Sequence, residues 1–148
     1  MNTDLHGKVV VVTGASGGLG SAIALRFAEE GAKVVLHYRG NRQGVAAVQR
    51  ELKHAESVIV RADLTKESDV GRLFGAAVKR FGRIDTLIAN AGSWETRDVP
   101  MHNMPLKQWK GTFDNVLTSA FLSLREFRSG LFRPVGDAAH FRTATDAQ

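Results

Sequence analysis

The 148-residue sequence contains no cysteine. Disulfides, zinc–thiolate centres and a cysteine nucleophile are therefore excluded, and the composition suits a reducing compartment. No metal site is expected. Tyrosine occurs once, at Tyr38, and proline three times. No apolar run approaches the roughly 18 residues of a membrane-spanning helix. The opening MNTDLHGK carries no apolar signal core, so the expectation is a cytoplasmic protein with no membrane partner. Clustered charge is also lacking. The 20 Lys and Arg exceed the 15 Asp and Glu, for a formal charge of +5, but they are scattered along the chain. A nucleic-acid surface would gather them on one element with aromatics between, so no nucleic-acid partner is expected.

What is present is a regular alternation. Residues 8–12 (KVVVV), 33–38 (KVVLHY), 57–61 (SVIVR) and 84–89 (IDTLIA) are short apolar runs, and they predict buried strands. Apolar residues at helical spacing predict helices over 20–30, 42–53 and 66–81, the last with Thr65 as its N-cap. Residues 106–127 predict a long helix with Trp109, Phe113, Val116, Leu117, Ala120, Phe121 and Leu124 on one side. Strands alternating with amphipathic helices imply a parallel sheet covered on both faces and joined by right-handed crossovers. The fold class is therefore α/β, a Rossmann-type doubly wound parallel sheet of about four strands. The expected division is a dinucleotide-binding domain over 1–127 and an irregular tail over 128–148. No run in the tail reads as a fifth strand, which leaves IDTLIA, apolar on both faces, without an outer neighbour.

The stretch TGASGGLG, Thr13 to Gly20, joins the first strand to the first helix. Gly14 supplies a tight turn, Gly18 lets a phosphate approach the backbone, and Gly20 lets the helix pack near the strand. The helix N-terminus then presents free N–H groups and a partial positive charge to a pyrophosphate. A nucleoside-triphosphate loop is excluded, because Ser21 follows Gly20 where that motif needs Lys.

TGASGGLG resembles the TGxxxGxG signature of the short-chain dehydrogenase/reductase family. Three further places support the likeness. Asp63 in RADLT follows the third strand, where the family's Asp meets the adenine amine. Asn90-Ala91-Gly92 in IANAG matches the family's NNAG, with Ala89 for its first Asn. Trp109 and FLSLREF resemble the family's fourth helix. The resemblance is closest in outline to 3-oxoacyl-carrier-protein-reductase-like and sugar or alcohol dehydrogenase members, and it covers residues 8 to about 127. It implies a nicotinamide dinucleotide and reversible carbonyl–alcohol chemistry on a small substrate. The cofactor-binding residues it implies are Thr13, Gly14, Ser16, Gly17, Gly18, Leu19, Gly20, Tyr38, Arg39, Asp63, Leu64, Asn90, Ala91 and Gly92. It also implies subunit packing through helix 106–127, hence a homo-oligomer.

An acidic residue at the end of the second strand would bind the adenosine ribose diol. Tyr38-Arg39 stands there, with Arg42 close by. An Arg can meet a 2′-phosphate with a charge-assisted bond, so NADP(H) is read over NAD(H). His37 reads as a strand residue satisfied locally rather than a ligand. The family's proton chemistry needs a Tyr, a Lys four residues later and a Ser. Tyr38 is followed four residues later by Arg42, and the tail has no YxxxK. No catalytic residue is assigned. Asn115 falls one residue before the family's fourth-helix Asn, at Val116. That offset is about 100° on an α-helix, so Asn115 is expected to point away from the site. Three readings follow. One is a reductase shortened before its Ser and YxxxK elements and inactive alone. Another is a non-catalytic NADP(H)-binding module or partner subunit. The third is an enzyme using unfamiliar groups, with Ser93, Asp98 and His102 as candidates. A flavodoxin-like domain without a dinucleotide is the remaining alternative.

Overall fold

The protein is described by a computed structural model, which covers residues 3–53, 55–93 and 99–131. Four parallel strands form one sheet: β1 (Val9–Val12), β2 (Lys33–Tyr38), β3 (Ser57–Arg61) and β4 (Thr86–Ile88). Their order is β3-β2-β1-β4, so the strand that comes first in the sequence lies inside the sheet. Val10 to Val12 pair with Val34 to Leu36 on one side and with Thr86 to Ile88 on the other. The helices are α1 (Gly18–Glu29), α2 (Arg42–Glu51), α3 (Glu67–Phe81), α4 (Leu106–Phe113) and α5 (Ser119–Leu131). A 3₁₀ turn, Met101–Asn103, precedes α4, and a π turn, Asp114–Thr118, joins α4 to α5.

The four valines of β1 are each at most 1% exposed. A strand's side chains alternate between faces, and here both faces are covered. Val9 and Val11 pack with Leu73, Phe74 and Ala77 of α3 and Leu122 of α5. Val10 and Val12 pack with Ala24 of α1 and with Val45 and Val48 of α2. Fully burying one such valine stabilises the fold by about 1.5–3 kcal/mol. This run of β-branched residues is therefore the central support of the sheet.

The predicted elements stand, with local differences. β4 is shorter than 84–89, because Asp85 spends its side chain on the β1 ladder: its Oδ2 accepts the Val9 amide at 2.9 Å. Its carboxylate is also paired with Arg83. Thr65 is not the cap of α3. Lys66 holds that place without a side-chain bond, and the Thr65 hydroxyl donates instead to Asp63 at 2.8 Å. The final helix runs through Leu131, past residue 127, and is interrupted by the π turn. The tail from residue 132 lies outside the described residues.

Candidate functional site

The glycine stretch leaves the end of β1 and is fastened to the end of β4 by the side chains of Thr13 and Asn90. Thr13 is 1% exposed. Its hydroxyl donates to the Ile88 carbonyl at 3.1 Å and accepts the amides of Asn90 and Ala91, each at 2.9 Å. Asn90 returns the contact, its Nδ2 donating to the Thr13 carbonyl at 2.9 Å. The motifs around Thr13 and Asn90 therefore form one polar knot, in which the buried hydroxyl has its bonding capacity filled.

The glycines divide by what surrounds them. Gly14 has φ of +69°, in the left-handed region that disfavours a side chain. A Cβ on Gly20 would lie 2.2 Å from the Gly14 carbonyl oxygen, so α1 packs against its own incoming loop. A Cβ on Gly18 would meet nothing within 4 Å. Gly17 and Leu19 are exposed beside it. Among the described residues no acceptor within the chain takes the amides of Gly18, Leu19 or Gly20. The first turn of α1 thus leaves amides without a partner beside the open space over Gly18, and such donors suit the oxygens of a pyrophosphate.

A cleft of about 270 Å³ opens over the C-terminal ends of the strands. Gly14, Ser16, Gly17, Arg39, Leu64, Ala91 and Gly92 line it, so seven of the expected cofactor residues converge there. His37, Gly40, Ser93, Asn115 and Ser119 complete the wall. Asn115 is thereby brought to the cleft, contrary to the expectation from α-helical rotation. The helix widens into a π turn at this point, and the 100° step of an α-helix does not hold there.

Tyr38 takes a different position. Period-2 alternation puts its ring, 4% exposed, in the core with Val34 and Leu36, and its hydroxyl accepts from Arg42 at 3.3 Å. Arg39 is exposed, and its guanidinium reaches across to Asn115 Oδ1 at 2.7 Å. Asp63 stands after β3, with its Oδ1 accepting the Thr65 amide and hydroxyl. Those bonds, the hydroxyl's first, hold its carboxyl below the usual carboxylate range despite partial burial.

His37, in β2, is 2% exposed. Its Nδ1 accepts the Gly14 amide at 3.0 Å, and its Nε2 lies 3.0 Å from the Ala62 carbonyl oxygen. The imidazole is satisfied within the chain, as expected, but one of its partners is the glycine loop. Burial pushes its pKa below the ordinary histidine value, and nearby Arg39 adds to the effect. The Ala62 bond and Asp63 act against it. A polar residue within an otherwise apolar strand was the available signal.

Of the alternative catalytic groups, Ser93 lines the cleft and His102 is exposed in the 3₁₀ turn. Asp98 lies outside the described residues. Among the described residues no cluster of three metal-ligating side chains occurs, and no helix is long and apolar enough to cross a membrane.

Comparison with known proteins places this arrangement. The chain is 39% identical over 127 residues to 3beta-hydroxysteroid dehydrogenase 1 of Eggerthella lenta, covering 84% of this chain and 48% of that protein. It is 35% identical over 127 residues to glucose 1-dehydrogenase 2 of Bacillus subtilis, covering 84% and 49%. The chain therefore spans about half the length of these curated relatives. Among solved structures, a short-chain type dehydrogenase/reductase from Mycobacterium marinum matches with a TM-score of 0.82 at 28% identity, over 88% of this chain and 54% of that one. An NADH-dependent reductase A1-R′ complexed with NAD matches with a TM-score of 0.80 at 31% identity, over 88% and 55%. The family model of the short chain dehydrogenases matches residues 8–136, and the chain belongs to that family.

Proposed function

We propose that this chain is the nucleotide-holding part, over residues 1–127, of an NADP(H)-dependent reductase that interconverts a small carbonyl and its alcohol in the cytoplasm. The observation that carries the reading is the open approach over Gly18 beside unpaired first-turn amides, held in place by Thr13. Gly14, Ser16 and Gly17 of the loop line a cleft that also takes in Gly92, Ser93 and Asn115. Arg39 and Arg42 supply positive charge where β2 ends, and Arg39 is exposed and free to swing from Asn115 to a ribose phosphate at little cost. The nicotinamide, when bound, supplies or accepts the hydride. The chain's own residues cradle the phosphates, select the ribose and shape the cleft.

Proton transfer is a different matter. The one tyrosine is buried and bonded to Arg42, so it is not a proton donor in the cleft. Residues 1–148 alone are thus expected to bind the dinucleotide without turning over a carbonyl. The non-catalytic module or partner subunit is kept as a second reading on the same observation. Translation beyond codon 127 in all frames separates the two: a Ser-bearing strand and YxxxK favour the reductase, and their absence favours the module.

Binding is measured by NADPH fluorescence and turnover with a carbonyl panel. NADPH binding without turnover is the expected result. No binding removes the reading, and turnover above background removes the claim that these residues lack a proton donor. Arg39→Asp is expected to weaken NADP⁺ binding by roughly tenfold to a hundredfold, through loss of a charge-assisted contact, while sparing NAD⁺. Unchanged preference would exclude Arg39 as the selector.

A further inference from the structure

We propose that His37 is a positioning residue for the glycine loop: its imidazole, protonated at Nε2, fixes the Gly14 amide and so sets the loop's grip on a nucleotide. The inference rests on the dinucleotide-binding reading and goes beyond it by naming what holds the loop on the β2 side. Two successive residues of the loop end on His37. The Gly14 amide donates to Nδ1 at 3.0 Å, and the Ala15 amide donates to the His37 carbonyl at 2.8 Å. An N–H facing Nδ1 requires that nitrogen to be an acceptor, so the ring proton sits on Nε2 and points to the Ala62 carbonyl, 3.0 Å away. The ring therefore links the end of β3 to the bend in the loop. Gly14 has φ of +69° there, a conformation that no repeating structure maintains.

The chemistry makes the link conditional. An imidazolium carries N–H at both nitrogens, so protonation turns Nδ1 toward the Gly14 amide as donor against donor. The Gly14 bond is then lost while the Ala62 bond survives. The charged groups acting on the ring are Arg39, just past the end of β2, and Asp63, after β3; the first opposes the imidazolium and the second favours it. The loop residues near it, Thr13 to Gly17, are all uncharged, and the π turn and α5 bring neutral Asn115 and Ser119. Thr13 fastens the β4 side of the loop at all pH values, so His37 is its one titrating attachment among the described residues.

Two amides of different reach separate the two ring nitrogens. In His37→Asn the side-chain oxygen can stand where Nδ1 stood and accept from Gly14. In His37→Gln the amide reaches the Nε2 position and serves Ala62 only. NAD⁺ is the probe, because its charge does not change between pH 5 and 8, whereas a 2′-phosphate titrates near pH 6. By calorimetry at pH 8, His37→Asn is expected to bind within about twofold of the original chain, and His37→Gln roughly tenfold more weakly. The original chain is expected to lose affinity as the pH falls below 6.5, and His37→Asn to stay flat. The Gly14 amide resonance of the ligand-free protein is expected to shift with the imidazole titration in the same range. Equal binding by both variants with the original pH slope would overturn the proposal, as would a Gly14 resonance indifferent to that titration. Failure of the original chain to bind NAD⁺ or NADP⁺ at pH 8 would instead overturn the dinucleotide reading, and the Gly14 resonance would still decide whether His37 holds the loop.

Discussion

A methyl group on Gly20 would sit 2.2 Å from the Gly14 carbonyl oxygen, and one on Gly18 would meet nothing within 4 Å. The two glycines lie two positions apart in one motif and serve different ends. Gly20 gives the helix room to lie against its own loop. Gly18 gives a ligand room to lie against the helix. Gly20→Ala is thus expected to destabilise the protein by about 1–3 kcal/mol, the usual cost of forcing atoms into a filled space. Gly18→Ala is expected to leave thermal stability within about 0.5 kcal/mol and to weaken dinucleotide binding. Melting curves and nucleotide titrations on both variants check the division. A stable Gly20→Ala protein would contradict the packing argument, and unimpaired binding by Gly18→Ala would contradict the cradle.

At the scale of elements, the last helical stretch separates what periodicity can tell from what it cannot. The apolar stripe of 106–127 is real. Trp109 and Phe113 stack with ring centroids 4.7 Å apart. Yet Leu117, Phe121 and Leu124 are all more than half exposed. The inward side of α5 is made of Leu122, which packs in the core with α3, together with Ser119 and Ser123; the three are 5%, 3% and 1% exposed. The serines bury at little cost because each hydroxyl donates to a carbonyl one turn back, Ser119 to Asn115 at 2.8 Å and Ser123 to Ser119 at 2.7 Å. Small residues let the helices approach closely, and hydrophobicity alone assigns the inward face to the larger ones. The outward stripe supports the proposal that copies of the chain associate through α4 and α5. Phe121→Glu with Leu117→Glu is expected to leave the fold intact and shift light-scattering mass toward the monomer. A monomeric original chain would remove that proposal.

Other elements were legible to the residue. β2 and β3 coincide with KVVLHY and SVIVR, because β-branched runs bounded by polar residues have one reading when both faces are covered. The π turn was not legible. DNVLT carries no signal distinct from an α-helix, and Asn115, expected to point away, lines the cleft. In the site, the glycine loop and IANAG were visible as motifs. The Thr13 hydroxyl that joins them was not, because a hydrogen bond between residues 77 positions apart leaves no local trace.

At the scale of the whole molecule, His37 and Asp63 of the site both contribute to the response to acid. His37 has a folded pKa below its ordinary value of 6.5, so the unfolded chain takes up the proton first. Stability is therefore complete above pH 6.5 and falls as the pH drops through the folded pKa. Asp63, lowered from 3.8, repeats this at more acid pH. Denaturant melts between pH 8 and 5 are expected to show a midpoint that declines below 6.5, with the decline reduced in His37→Asn. A flat profile for the original chain would contradict a folded His37 whose pKa is lowered by burial.

The strand order has one more consequence, and it concerns time. The N-terminal part of a chain leaves the ribosome first, so TGASGGLG is made before the residues that fasten it. Its fastenings come late. The acceptor for the Thr13 hydroxyl is 75 residues downstream at Ile88, and its donors are 77 and 78 residues downstream. A nascent chain stopped before Ile88 would carry every glycine of the cradle, with nothing on the β4 side to hold it open.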